Sequence, residues 1–546
     1  VSDLLRLPVI ASHASIPVEP GTLKGHLDGR MRLDFEIGEG AHDDQMKFWV
    51  DAMTSNLSVD RLIGKERLEA AALHVMASPA GLEVSGPGKL FGAPAALELH
   101  RAFGVKGPAQ AQLTFAFDDA ARQRAGYAVT GMTGPVSAIV RTPLPIEDVK
   151  TEVELDLTRV AFDNPIPGLV KAAGKPAKAS FQLIQRPDAI AIEQFNFAAG
   201  PAQAQGNIEF SKEGAFRSAK IAPIRLSPGD DMRVEIQKTG ALTKIAIRGA
   251  NVDARPVLQS YFRAGGRNAN TGAAKPAVES AGSSFGDHDV DFNSPVVTGF
   301  GKQILSNVSL KLESRSGRPK SLALTGNFGH ERVGVTITRA QNDMPQLDIA
   351  TNDAGSLLSF IDLYRKMESG ALTVSLQLGA NRSDGTVRIR DFYVKGEPTM
   401  RQLMQQSGNL RTDDRGVTRF DPDSVQIGQL FAEFGWNGGQ LSVRQGVMSG
   451  PAIGMTFDGT VDMPHDTIDL AGSYVPAYAL NSLLSNIPVV GILVAGGQNE
   501  GVFALNYRLS GALSAPVVTV NPLSAIAPGL MRKIMGVLDG TAHVPH

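Results

Sequence analysis

The chain has 546 residues, of which 42% are hydrophobic and 20% charged, enough apolar content for a buried core and too much for a disordered tail. Its 53 Lys and Arg against 55 Asp and Glu leave a formal charge of −2, which excludes a broadly basic nucleic-acid platform and a long acidic tail. Cysteine is absent, which excludes disulfides and thiolate metal sites and fits export into an oxidising space.

In chain order, the first candidate motif is GPGKLFG, with Gly86, Gly88 and Gly92. It has one residue too many for the dinucleotide fingerprint and no βαβ setting, so it is read as a Gly-Pro turn between strands. From there on, short runs of period-2 alternation dominate. Val153, Leu155 and Leu157 alternate with Glu152, Glu154 and Asp156. Met232, Val234 and Ile236 alternate with Arg233, Glu235 and Gln237. Ile245 and Ile247 follow, then Val308, Leu310 and Leu312, then Val333, Val335 and Ile337, then Leu372, Val374 and Leu376. Strands with one apolar and one wet face mark antiparallel sheet, not the continuously apolar strands of a buried parallel sheet. Gly-rich strings such as SKEGAF, QKTGAL, NRSDGTV and WNGGQL punctuate the runs.

Helices are expected to be few and short. One is predicted over 355–367, with Leu357, Ile361 and Tyr364 on one face and Asp353 or Ser356 as cap. Others are predicted at DARPVLQSYFR, where Pro256 suits a first turn, at PTMRQLMQQ and at DSVQIGQLFAEF. The order strand, turn, Asp, short helix occurs in both KIAIRGANVDARPVLQSYF and QLDIATNDAGSLLSFIDLY, which suggests a repeat. Residues 264–286 carry Gly, Ala, Ser and Asn with almost no large apolar side chain and read as a flexible linker or loop.

No HExxH or P-loop string is present. The acid–His clusters at Asp287, His288, Asp289 and Asp291, and at His42, Asp43 and Asp44, read as loop charges rather than metal ligands. The same holds for Asp230–Asp231 and Asp413–Asp414 as loop carboxylates. No catalytic residue, metal or cofactor is assigned, and the chain is not expected to be an enzyme. What remains is a mainly β chain with much apolar strand face. That face either closes into stacked β-sandwiches or lines an open, curved sheet whose groove suits an acyl chain.

The last hundred residues carry a more specific signal. GTVDM followed by IDLAGSYVPAYALN (Gly459 to Asn481), IPVVGILVAGG (Ile487 to Gly497), EGVFALNYRLSG (Glu500 to Gly511) and NPLSAIAPGLMRKI (Asn521 to Ile534) stand in order. This string resembles the AsmA-like C-terminal region of the AsmA-like/YhdP-type envelope proteins of Gram-negative bacteria. GPGKLFGAPAALELH and RGANVDARPVLQSYF are similar in style to the upstream part of such proteins.

The resemblance implies a long, twisted antiparallel sheet bent into an open groove with a few short helices and a helical cap near the C-terminus. Residues 1–263 would form one β-groove region, 264–286 the linker, and 287–546 the AsmA-like C-terminal region. It also implies bridge-like phospholipid transport between inner and outer membrane, supporting outer-membrane biogenesis in the periplasm. An anchor to the inner membrane is expected upstream of Val1. Phospholipids and membranes, with other envelope proteins, would be the partners, and nucleic acid would not. The alternative is a non-catalytic periplasmic scaffold for outer-membrane proteins with closed β-sandwich cores.

Groove lining is expected at Val153, Leu155, Val234, Ile236, Val308, Leu310, Val333, Val335, Ile337, Leu372, Val374 and Leu376. The uncharged stretch after Leu470 is broken by Asn481, Ser482, Ser485, Asn486, Pro488 and Gly491. It is weighed as packing that closes a groove end, as lipid contact, or as a span; the polar breaks count against the last. Read with the family, residues 475–484 would form a short amphipathic helix. Membrane or end-cap contacts are expected at Leu483, Leu484, Ile487, Val490, Ile492, Leu530, Arg532, Lys533 and Ile534, where the cations would meet anionic headgroups.

Overall fold

The computed structural model describes residues 22–34, 47–63, 66–103, 107–126, 128–144, 149–259, 286–339, 344–379, 382–406, 421, 423–451, 453–476 and 505–521. The chain divides into two compact units, Val1–Lys238 and Thr239–His546. Both are mainly β, as the alternation requires.

In the first unit, 14 strands from Leu23–Asp34 to Asp231–Thr239 run as an antiparallel meander. A small three-stranded sheet (Met132–Thr133, Ala161–Asp163, Val170–Lys171) is inserted beside it. Leu157, Val160, Phe162 and Leu169 of that insert pack onto Ala177, Ala179, Ala199 and Ala202 of the main sheet. The Lys171 ammonium is buried there and donates to the carbonyls of Thr158, Ala172 and Lys175, which ties the insert's loops together. The helix Asp119–Arg124 starts where the Asp118 carboxylate accepts from the Ala121 amide.

The second unit opens with a parallel pair, Leu242–Asp253 beside Asp287–Thr298. A tight hairpin cannot join parallel strands, so a long crossover is required. The Gly- and Ala-rich stretch 264–286 lies in that crossover. It therefore falls inside the second unit, not between the two, and all but Gly286 of it lies outside the described residues. From Asp287–Thr298 onward, each strand pairs antiparallel with the next. They are Ile304–Arg315, Arg318–Phe328, Glu331–Arg339, Pro345–Thr351, Met367–Gln377, Ser383–Lys395, Ser424–Asn437, Gln440–Ser449, Ile453–Asp462, Thr467–Pro476, Leu505–Ala512 and Ala515–Asn521.

Two of the predicted helices in this unit are the helices Ala354–Phe360 and Pro398–Gln406. Residues 255–259 form a short helical turn where DARPVLQSYFR was predicted. Asp353 is the cap, accepting from the Ser356 amide at 3.0 Å. Helix Ala354–Phe360 ends earlier than its apolar spacing predicts. Its chain turns after Ile361, and Met367 begins a strand, so Tyr364 lies beyond the helix.

Four local expectations are corrected. DSVQIGQLFAEF is strand, not helix, paired along both edges. GPGKLFG places Gly86 to Gly88 inside a strand, and the turn is at Phe91–Gly92. A Cβ on Gly86 would stand 2.3 Å from the Ala72 carbonyl, which is why glycine sits there. The Asp287–Asp291 cluster is strand rather than loop, with Asp289 ion-paired to Arg315 and Asp291 to Arg248. Val475 is a fully buried strand residue, not the start of a helix.

A recurrent device bends these strands. Asn56, Gln194, Asn307 and Asp391 lie in mid-strand with φ of 50°, 53°, 51° and 54°. Each left-handed residue turns the following side chain back to the apolar side. Thr54 and Leu57, Leu305 and Val308, and Ile389 and Phe392 are thus buried at a spacing of three rather than two. Such irregularities sharpen strand bending and twist. Asp391→Val, a β-branched residue forced into this conformation, should cost about 1–2 kcal/mol, whereas Asp391→Gly should not; denaturant midpoints of the two variants decide it.

Candidate functional site

The alternation of the strands becomes a two-faced sheet once the registers are known. In the second unit one cross-strand row runs Ile247, Phe292, Leu310, Leu324, Val335, Ile349, Val374, Val387, Ala432, Gly446, Phe457, Gly472, Tyr507 and Val520, across 14 strands. At about 4.8 Å per strand this is a path of roughly 60 Å without a charged residue. A neighbouring row contains Val290, Leu312, Leu322, Ile337, Leu347 and Leu376, and continues through Phe434 and Val443 to Leu470 and Leu509.

The opposite face is wet. Lys311, Thr336, Asp348, Ser375, Thr386, Glu433 and Gln445 lie along one of its rows. Ser375 donates to Asp348 at 2.7 Å, and Arg508 clamps Asp469 through two hydrogen bonds at 2.8 and 2.7 Å. The hydrogen bond from Arg508, with its charge, holds the Asp469 carboxyl below the usual carboxylate range.

Coverage of the apolar face is uneven. At one end of the strands it is closed by the two helices. Leu372, Ile389, Phe392, Met448, Met455 and Tyr474 are buried beneath Ala354, Met400, Leu403 and Met404. The 255–259 turn and Phe360 close a second cluster with Val297, Leu305, Val308 and Val333. Away from that end Leu310, Leu324, Val335, Ile349, Val374 and Leu376 are only half-buried. Among the described residues of this unit no second sheet packs over them.

The predicted lining residues fall on this pattern. Leu310, Val335 and Val374 share one row, and Ile337 and Leu376 share the next. Val308, Val333 and Leu372 share the face but sit under the covered end, with Val333 1% exposed. In the first unit Val153 lies between Val140 and Phe181, and Leu155 between Ala138 and Ala179. Val234 faces Ile221, and Ile236 faces Ala219, both in half-covered rows. Phe292, Leu324, Ile349, Val387, Phe434 and Phe457 complete the face and were not predicted. Leu322 and Leu324 in SLALTG, and Phe457 after Ile453 and Met455, alternate plainly enough to have been found; Phe434 lies in the segment whose spacing reads as helix. Leu483, Leu484, Ile487, Val490, Ile492, Leu530, Arg532, Lys533 and Ile534 lie outside the described residues, as do His42 to Asp44 and Asp413–Asp414.

The paired carboxylates resolve into structure. Asp230 is 4% exposed and accepts from the amides of Leu226 and Ser227, holding a turn. Two tyrosines border the covered end. Tyr507 donates to the Thr456 carbonyl at 3.0 Å and Tyr364 to Glu397 at 3.1 Å. Burial, with carboxylates nearby, pushes both phenols above their ordinary range. Their neutral forms therefore contribute stability that is complete below about pH 10, the unfolded value, and lost as pH rises through the higher folded values. In an alkaline titration followed by phenolate absorbance, Tyr364→Phe and Tyr507→Phe should each remove amplitude from the last phase, not from the first.

Comparison with protein-family models, with curated proteins and with solved structures finds no match for this chain.

Proposed function

We propose that the chain is a passive conduit for phospholipid, whose acyl chains lie along the uncovered apolar rows while headgroups stay at the wet margin. The observation that carries this reading is the half-buried, uncharged row through Leu310, Leu324, Val335, Ile349 and Val374 in a sheet whose other face is polar. Each CH₂ transferred from water to such a surface gains about 0.8 kcal/mol, so a chain held along the row needs no specific polar contact. Movement is then exchange between equivalent apolar positions. The reading assigns no catalytic residue and needs no cofactor. The resemblance of the C-terminal string to AsmA-like envelope proteins supports periplasmic traffic between inner and outer membrane, in aid of outer-membrane biogenesis.

Mass spectrometry of lipid extracted from the purified, detergent-free chain tests it. The expected result is phospholipid at one or more molecules per chain. A lipid-free, stable chain would overturn the conduit and leave the scaffold for outer-membrane proteins as the better account.

A further inference from the structure

We propose that the helix Pro398–Gln406 is a displaceable plug in the apolar trough of the second unit. Acyl chains then reach the row it covers, through Leu372, Ile389, Met448 and Met455, only when it is unlatched. This rests on the conduit reading and specifies how that path is regulated.

The helix is not needed to connect its neighbours. It lies between Ser383–Lys395 and Ser424–Asn437, which are adjacent in the sheet, where a short hairpin turn would serve. Its buried side chains are Met400, Leu403 and Met404, the last two 1% and 0% exposed. They share one cluster with Val394 on the strand before the helix and Val518 on the last strand, which the helix touches. Those two strands are six ladder steps apart, about 29 Å if the sheet were flat. A nine-residue helix is only about 13.5 Å long. The sheet must therefore curl toward its apolar side, with the helix in the concavity. Val374 and Val387, half-buried members of the long row, pack against the same cluster, so the open row runs along the edge of the region the helix covers.

The contact is made of parts that can exchange. Met400 and Met404 share the cluster with Met448 and Met455, and methionine repacks against differently shaped apolar partners at low cost. What fixes the helix from outside is polar and partly exposed. Glu397, just before it, accepts from Tyr364 and pairs with Lys366 at 3.3 Å, and Arg401 pairs with Asp423. Latches of this kind are individually weak.

The test places the photoreactive residue p-benzoylphenylalanine at Val335, Val374, Met448 or Met455 of the full chain, made in a Gram-negative host. After irradiation, lipid adducts are counted by mass spectrometry. Adducts are expected at 335 and 374 and not at 448 or 455. Unlatching with Glu397→Gln and Arg401→Ala should raise adducts at 448 and 455 roughly five-fold and leave 374 unchanged. Asp423→Asn alone provides a milder unlatching should the double variant lose its thermal transition. Equal labelling of all four positions in the unaltered chain would overturn the plug. So would positions 448 and 455 remaining dark in both unlatched variants while 374 still labels. Absence of adduct at every position would overturn the conduit reading itself.

Discussion

Aspartate at Val335 or Val374 should strip bound phospholipid from a chain that stays folded, whereas aspartate at Val333 or Leu372 should unfold the second unit. All four residues point to the same face of the sheet. They differ in what lies above them. Val333 and Leu372 are 1% and 3% exposed beneath the helical end, so a carboxylate there has neither water nor a cation. An uncompensated buried charge costs about 3–5 kcal/mol. Val335 and Val374 are half-buried, at or beyond the edge of the helix-covered cluster and with no second sheet over them among the described residues, and a carboxylate there can remain hydrated. The stability cost should be about 1 kcal/mol, typical of a surface-accessible change. The loss of lipid should be large, because a fixed charge in an otherwise uncharged row interrupts the path for every chain that must lie across it. Thermal denaturation and lipid extraction on the four variants read the two effects separately. Equal unfolding of all four would mean a closed core and would remove the trough.

Phe392→Ala should be the most damaging single truncation. Phe392 is 1% exposed, lies directly after the left-handed Asp391, and is held between Gly370 and the helix-covered cluster. A Cβ on Gly370 would approach the Phe392 Cβ to 2.9 Å, so the backbone cannot close on the cavity without moving. Removing a buried Phe side chain costs about 3–5 kcal/mol. In a unit of this size that lowers the melting temperature by about 10 °C. The first unit, Val1–Lys238, has its own clusters around Leu68, Leu90, Leu97 and Phe115 and should melt where it did before. Calorimetry resolving two transitions, one shifted and one not, is the expected record. A common shift of both would show that the units do not unfold independently.

The residue pattern by itself determined the strand class, the wet and apolar faces, and the short helices. These follow from nearest-neighbour chemistry. Glu154 between Val153 and Leu155, or Ser375 between Val374 and Leu376, commits a strand to two faces whatever it pairs with. The Asp residues before the 255–259 turn and the Ala354–Phe360 helix cap them locally. The long uncharged row was not legible, because it depends on register, and a one-residue slip would send each side chain to the other face. The strand Ser424–Asn437 shows the limit most clearly. Its apolar residues Ile427, Leu430 and Phe434 have helical spacing only because the face reverses opposite the left-handed Asp391 on the neighbouring strand. Which part of the apolar face is covered was also decided by tertiary structure alone. That coverage comes from helices packed across strands far apart in sequence, and it separates a core residue such as Leu372 from a surface for acyl chains such as Val374, two positions away.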